Sequence, residues 1–191
     1  MQMNMKRKSL VFLFLFVVVL CRTQSFPEAG MEAIYKEVKT PFKYGLVVAP
    51  QDNGHKIDCP SVFRQDGKWY MTYVIYNGQN GSDGRGYTTW MSVSDDLLHW
   101  KTVGCLLNYK NEGWDMNQRG GFPSLIDWNW NGSYKMQTYK GKHWMTYIGG
   151  KGRGYEAIQE PLDIGLAWTK DPIVDGHEWN TLNHPLLSIN D

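Results

Sequence analysis

The stretch that decides the fold is Ile57-Asp-Cys-Pro-Ser-Val-Phe63, together with the following segment Asp66-Gly-Lys-Trp-Tyr-Met-Thr-Tyr73. A second copy lies further along the chain, as Gly121-Phe-Pro-Ser-Leu-Ile126 and Gly141-Lys-His-Trp-Met-Thr-Tyr147. Each copy also contains Gly-Arg-Gly-Tyr and a tryptophan ahead of a Leu-Leu pair. Repeats of this length, built from short strands with aromatic residues at fixed places, are typical of β-propeller blades.

Each copy is predicted to form four antiparallel strands, so the fold class is all-β, with about two four-stranded blades. Apolar residues alternate along the second strand, as they do when one face of a pleated strand is buried. No segment has a sustained helical period, so no helix is predicted. The strands predicted for the first copy cover residues 61–63, 69–76, 87–94 and 100–107.

The N terminus has the pattern of a secretory signal peptide. Lys6-Arg-Lys8 precedes an uncharged apolar run from Leu10 to Leu20, and a small-x-small site follows at Thr23-Gln-Ser25. The alternative is an uncleaved membrane anchor, although the apolar run is short for one. The predicted divisions are a signal peptide over 1–25, a lead-in segment over 26–54 and two blades over 55–191.

Signal cleavage predicts a secreted or periplasmic protein. Cys21 would make it a lipoprotein, although Leu20 stands where a lipid-attachment motif has a small residue. Cleavage removes four basic residues and lowers the formal net charge from +1 to about −3. Because nucleic-acid binding requires a basic surface, it is not expected, and no second apolar segment reaches membrane length.

The remaining cysteines, Cys59 and Cys105, are predicted to be buried thiols without a disulfide. In a four-stranded blade they would lie about 14 Å apart at ~4.8 Å per strand. A disulfide requires Cα atoms within about 7 Å. The chain contains no CxxC, HExxH or phosphate-binding glycine loop, so no metal or other cofactor is predicted.

Strand direction predicts which loops meet. Because successive strands reverse direction, the start of the first inner strand shares one end of the blades with the loops 78–87, 108–121 and 151–161. Asp58 lies at this end, which we call the mouth. Its loops carry a high density of charged and aromatic residues: Arg85, Trp114, Asp115, Arg119, Arg153, Glu156 and Glu160. Most aromatic residues are expected to fill the space between sheets, but Trp114, Trp128 and Trp130 lie in linking segments and could pack against sugar rings.

These residues resemble the five-bladed β-propeller glycoside hydrolases. The similarity lies in Asp58 and Pro60 opening a strand, in an Asp-Gly-Lys turn before an aromatic strand, and in Ser94-Asp95 ahead of a tryptophan. It covers roughly residues 55–190. It is greatest for the family 43-like group, and families 32, 117 and 130 share the architecture.

The resemblance implies a glycosidase that works with carboxylates around a central cavity. Asp58 matches the aspartate that serves as general base or nucleophile. Many relatives have a second aspartate opening the second blade, where this chain has Gly121. The acid, a glutamate, comes from a third blade, so the remaining blades are expected to be missing from a chain that stops at Asp191. The alternative is a two-sheet domain that is complete in itself.

Three functions follow as hypotheses. The first is a glycoside hydrolase acting on a polysaccharide or oligosaccharide, with Asp58 and Glu156 as catalytic candidates. The second is a glycoside phosphorylase of similar fold, in which arginines would hold phosphate. The third is a non-catalytic carbohydrate-binding propeller, because Gly121 replaces a carboxylate. The residues predicted to contact the carbohydrate are His55, Trp114, Asp115, Arg119 and Arg153.

Overall fold

The computed structural model describes residues 27–38, 47–49, 55–77, 84–154, 162–171 and 176–191. The chain divides into two units, Met1–Lys43 and Tyr44–Asp191. The first unit contains one helix, and the second contains two four-stranded antiparallel sheets. No helix among these residues is long and apolar enough to cross a membrane.

The first sheet is a four-stranded meander in which neighbours in sequence are neighbours in space. A two-residue turn joins its first two strands, and both turn residues, Asp66 and Gly67, have positive φ, at 49° and 81°. This conformation suits a tight hairpin, and glycine adopts it readily. The strands are β1 (Lys56–Gln65), β2 (Lys68–Tyr76), β3 (Tyr87–Ser94) and β4 (Lys101–Leu107).

The second sheet repeats this topology, with a shorter outer strand. Its last strand has only two residues, and a single bridge from Ile164 to Leu187 extends the outer edge. The strands are β5 (Gln118–Pro123), β6 (His143–Gly150), β7 (Asp163–Thr169) and β8 (Asn180–Thr181). The two meanders confirm the all-β, two-blade prediction.

A helix, α1, occupies Glu28–Val38, where the sequence analysis predicted none. Its first turn includes backbone hydrogen bonds from Gly30 N and Met31 N to the Pro27 carbonyl, at 2.9 and 3.1 Å. Glu32 and Lys36 form an i,i+4 ion pair of 3.1 Å. Proline is tolerated at a helix start, so Pro27 begins this helix and does not break it. Val47 and Val48, predicted as part of a short strand, are not in a strand.

The two sheets share a continuous core. Phe63, Met91 and Leu106 of the first sheet and Met145 and Ala167 of the second are fully buried in one hydrophobic cluster. Close packing of this kind makes the interface sensitive to a change of even one methylene group.

A threonine hydroxyl joins the sheets at the centre of this interface. Thr89 Oγ1 donates to the Arg119 carbonyl and accepts from Gly121 N, both at 2.8 Å. The inner strand of the second blade is thereby fixed against the face of the first blade. Farther out, Trp179 N donates to the Leu106 carbonyl at 2.9 Å.

The cysteines differ from the prediction in one respect. No disulfide joins Cys59 and Cys105, as predicted. Cys105 is partly buried in β4, but Cys59 is exposed, so the prediction of a buried thiol there was wrong. The reason is a distortion of β1 around Cys59, which also determines the position of Asp58.

Candidate functional site at the mouth of the blades

Asp58 lies on the inner strand of the first blade, immediately before a bulge. Asp58 pairs with Val74 and Ser61 pairs with Thr72, so Cys59 and Pro60 bulge out of the ladder. Cys59 has a φ of 50°, and its N–H donates to Asp58 Oδ1 at 2.7 Å. Bulges often redirect side chains next to functional sites. The bulge leaves the Asp58 carboxylate exposed and its position defined by the neighbouring backbone.

Strand register identifies the counterpart of Asp58 in the second blade. Tyr73 and Tyr147 are equivalent in the repeat, so Val74 corresponds to Ile148. Because Asp58 pairs with Val74 and Gly120 pairs with Ile148, the counterpart of Asp58 is Gly120. The repeat pattern in the sequence, which placed Gly121 opposite Asp58, was wrong by one position because it could not reveal the two-residue bulge.

Neither glycine leaves room for a side chain. A Cβ added to Gly121 would lie 2.6 Å from Tyr147 Cβ and 2.9 Å from a backbone oxygen. A Cβ added to Gly120 would meet Val74 and Tyr87 at 3.3 Å each. The second blade therefore lacks a carboxylate here because its inner strand packs closely on both sides.

Two predicted contact residues, Asp115 and Arg119, form a buried ion pair. Arg119 Nε donates to Asp115 Oδ2 at 3.1 Å, and both side chains are almost fully buried. Lys110 Nζ donates to both Asp115 oxygens at 3.1 Å, and Tyr147 OH donates to Oδ2 at 2.8 Å. Arg119 Nη1 also donates to Glu178 Oε1 at 2.6 Å. These partners give both residues a structural role between the mouth and the second sheet.

The environment of Tyr147 reflects this network. Burial raises the pKa of Tyr147 well above its ordinary value, and the nearby Asp115 carboxylate raises it further. Trp114, another predicted contact residue, stacks on the Tyr147 ring with centroids 5.7 Å apart. Trp114 is partly buried, and its Nε1 donates to the Leu182 carbonyl at 3.5 Å. One face of its ring is therefore used in packing.

His55 lines a cavity of about 310 Å³ on the first blade. The cavity is also lined by Ile75 and Trp90, which alternate in register with the residues that face the second blade. It therefore lies on the face of the first sheet that points away from β5. Asp58 is not among its lining residues, so the structure does not bring His55 and Asp58 into one pocket.

The remaining predicted residues are placed as follows. Arg153 is exposed on the loop after β6, at the mouth. Glu156 and Glu160 lie outside the described residues, so their catalytic roles stay predictions. Within the described ranges, no three histidine, cysteine, aspartate or glutamate side chains come together as a metal site.

Gln118, which the sequence analysis did not single out, holds the mouth together. Its Oε1 accepts a hydrogen bond from Tyr87 N at 3.2 Å. Its Nε2 donates to the carbonyls of Gly152 and Gly154, at 3.1 and 2.8 Å. Gly154 N in turn donates to the Gly84 carbonyl at 2.8 Å. The predicted meeting of these loops at one end is confirmed, but one glutamine at a strand start carries no pattern that identifies this role.

Solved structures provide the comparison with known proteins. No protein-family model matches the chain, and no curated protein matches it. One similar structure, a complex of BT0996 with RGII, is 62% identical over 87% of this chain, with a TM-score of 0.79. Another, described as "Glycoside hydrolase", has the same identity and coverage and a TM-score of 0.78. This chain spans 47% of each of those chains, or about half their length.

A more distant structure supports the fold alone. Zg3597, a family 117 glycoside hydrolase from Zobellia galactanivorans, is 16% identical over 68% of this chain. The match covers 38% of Zg3597, with a TM-score of 0.50. The propeller-blade fold is thus shared with glycoside hydrolases, whereas assignment to the family 43-like group stays a prediction.

Proposed function

We propose that this chain is part of a secreted glycoside hydrolase in which Asp58 is the general base or nucleophile. The observation that carries the proposal is the 62% identity, over 87% of the chain, to a structure described as a glycoside hydrolase. Secretion rests on the signal-peptide pattern of residues 1–25, which lie outside the described part of the chain.

The geometry of Asp58 supports this role. Glycosidases act through carboxylates that either take a proton from water or attack the anomeric carbon. Asp58 is exposed on an inner strand, and the Cys59 N–H holds one of its oxygens at 2.7 Å. An exposed carboxylate that is held in one orientation can serve either role.

The acid that would complete the site is proposed to come from outside this chain, with Glu156 as the second candidate. Glycosidases use a pair of carboxyl groups on either side of the bond that is cleaved. Asp115 is unsuitable as the second group, because it is fully buried and bonded to Lys110, Arg119 and Tyr147.

The substrate is proposed to be a polysaccharide or an oligosaccharide derived from one. The relative whose structure is a complex with RGII is 62% identical to this chain, so RGII and its fragments are the first substrates to test. Arg153 and the exposed part of Trp114 stay the predicted contact residues at the mouth.

A non-catalytic carbohydrate-binding protein is the second candidate. The observation in its favour is the lack of room at Gly120 and Gly121, where the second blade cannot present a carboxylate. No observation favours the phosphorylase alternative, because the Arg119 guanidinium that would hold phosphate is buried against Asp115 and Glu178.

The test is product analysis with the protein that contains this chain. It would be incubated with RGII fragments, aryl glycosides and a panel of polysaccharides, with and without inorganic phosphate. Free sugar released at the same rate in both conditions supports the hydrolase. A sugar 1-phosphate formed only with phosphate would establish a phosphorylase, and glycan binding without turnover would establish a binding protein.

A further inference from the structure

A second surface, at the end of the blades opposite the mouth, has the features of a glycan-binding site. Residues 124–142, which we call the aromatic arm, connect the end of β5 to the start of β6. Because the mouth loops leave from the other strand ends, the arm and Asp58 lie at opposite ends of the blades. Trp130 is 90% exposed in the arm and Trp128 is 62% exposed.

The base of the arm is anchored in the core. Ile126 and Met136 pair in a β-bridge and are both buried in the hydrophobic cluster between the sheets. Asp127 N donates to the Lys135 carbonyl at 3.0 Å, next to this bridge. The arm is therefore a two-stranded extension of the core, with residues 128–134 as its tip.

The tip is held in one conformation by the Asp127 carboxylate. Its two oxygens accept hydrogen bonds from Ser133 N and Oγ, at 2.7 and 2.6 Å, and from Asn129 Nδ2 at 2.7 Å. Hydrogen bonds from Ser133 and Asn129 lower the pKa of Asp127 to about 2. Gly132 N also donates to the Asn129 carbonyl at 2.7 Å. The exposed tryptophans are thus presented on a fixed backbone, which reduces the entropy lost when a ligand binds.

Lysines and further aromatic rings lie near the base of the arm. Lys142 Nζ lies 4.8 Å from the centre of the Trp168 ring and 5.7 Å from that of Trp144. Lys140 Nζ lies 5.3 Å from the centre of the Tyr139 ring. Each ammonium group has three donors, so a lysine above a ring can still donate to a ligand.

The charge of the arm favours an anionic ligand. Between residues 122 and 146 the only acidic residue is Asp127, whereas there are three lysines, Lys135, Lys140 and Lys142. The Asp127 carboxylate is engaged by the backbone and side chains of its own loop. The exposed charge of this region is therefore positive, although cleavage of the predicted signal would leave the rest of the chain with a net negative charge.

We propose that the aromatic arm is an accessory binding surface for an acidic polysaccharide. Trp128 and Trp130 would stack on the C–H faces of sugar rings, and Lys140 and Lys142 would pair with carboxylates of uronic-acid units. The arm could serve this purpose in an enzyme or in a binding protein, so its test is independent of catalysis.

The test is affinity electrophoresis of the protein that contains this chain, in an Asp58→Asn background so that the probe is not consumed. The probes are polygalacturonate and a neutral glucan of similar length. We expect retardation by polygalacturonate only, about tenfold weaker in Trp128→Ala/Trp130→Ala because the stacking surface is lost. Lys140→Gln/Lys142→Gln should weaken binding about fivefold and reduce its salt dependence.

Matched controls lie elsewhere on the surface. Ile189→Ala removes an apolar side chain that is 70% exposed, and Lys170→Gln removes an exposed charge, so neither should change retardation. Asp127→Ala keeps both tryptophans but releases the tip, so it should weaken binding if the fixed presentation matters. Unchanged binding by the double tryptophan variant, or equal retardation by the neutral glucan, would overturn the proposal. Loss of binding in the Ile189→Ala control would also overturn it.

Discussion

Asp58 and Gly120 occupy the same register position in the inner strands of the two blades. Asp58 pairs with Val74, and Gly120 pairs with the equivalent residue Ile148. The first blade places an exposed carboxylate at this position, whereas the second blade packs its glycine against Val74 and Tyr87. The repeat therefore keeps the scaffold of the two blades but not the chemical group that the scaffold presents.

The tight packing of β5 predicts unequal effects for two alanine substitutions. Gly121→Ala places a methyl group 2.6 Å from Tyr147 Cβ and should lower the free energy of unfolding by about 3 kcal/mol. Gly120→Ala, with its nearest contacts at 3.3 Å, should cost about 1 kcal/mol because Val74 can shift slightly. Urea unfolding measures both. Equal costs would show that β5 is less closely packed than described.

The buried ion pair predicts a large penalty when one partner loses its charge. Asp115→Asn keeps the shape of the side chain but leaves the fully buried Arg119 without its carboxylate, which should cost about 3–5 kcal/mol. Asp115→Leu combined with Arg119→Met removes both charges and should cost less than the single change. The comparison is made by thermal or urea unfolding. A single variant as stable as the parent would contradict the structural role of the pair.

The two cysteines should differ in reactivity. Burial raises the pKa of Cys105 to about 12, so it stays protonated at pH 8, and the thiolate is the reactive form. Cys59 is exposed. Iodoacetamide at pH 8 should therefore label Cys59 first and Cys105 only after denaturation, as read by mass spectrometry of peptides. Equal labelling rates in the native protein would count against the burial of Cys105.

Residues 26–191 expressed alone should be poorly soluble and inactive. The second blade and the chain end expose several large apolar side chains, including Phe122 at 48%, Leu187 at 59% and Ile189 at 70%. Monomers seldom expose large contiguous apolar patches, so aggregation or a molten species is expected. Size-exclusion chromatography and calorimetry give the answer. A monodisperse monomer with a sharp melt would show that the two-blade unit is complete.

The fold could be predicted from the sequence because it depends on a repeated pattern of apolar and turn residues. Strand β3 was predicted to the residue, and β2 and β4 to within one residue, because alternation and turn residues mark their ends. Helix α1 was missed because it is short and most of its surface is exposed, so it lacks a strong apolar period.

The site was less predictable, because it depends on contacts between segments that are distant in sequence. A charged residue at the mouth can be a ligand group or a buried partner, and the sequence cannot distinguish them. Arg119 belongs to the second kind, since its partners include Glu178, which lies 59 residues further along the chain. The bulge at Cys59 likewise becomes visible only when the pairing of β1 with β2 is known.

The most direct test of the central claim is the turnover of glycan by Asp58→Asn in the protein that contains this chain. Asp66→Asn is the matched control, because Asp66 is an exposed aspartate in the turn after the same strand and asparagine tolerates its positive φ. The account predicts that Asp58→Asn abolishes hydrolysis with a nearly unchanged melting temperature, while Asp66→Asn keeps normal activity. Near-normal hydrolysis by Asp58→Asn would contradict the assignment of Asp58 as base or nucleophile.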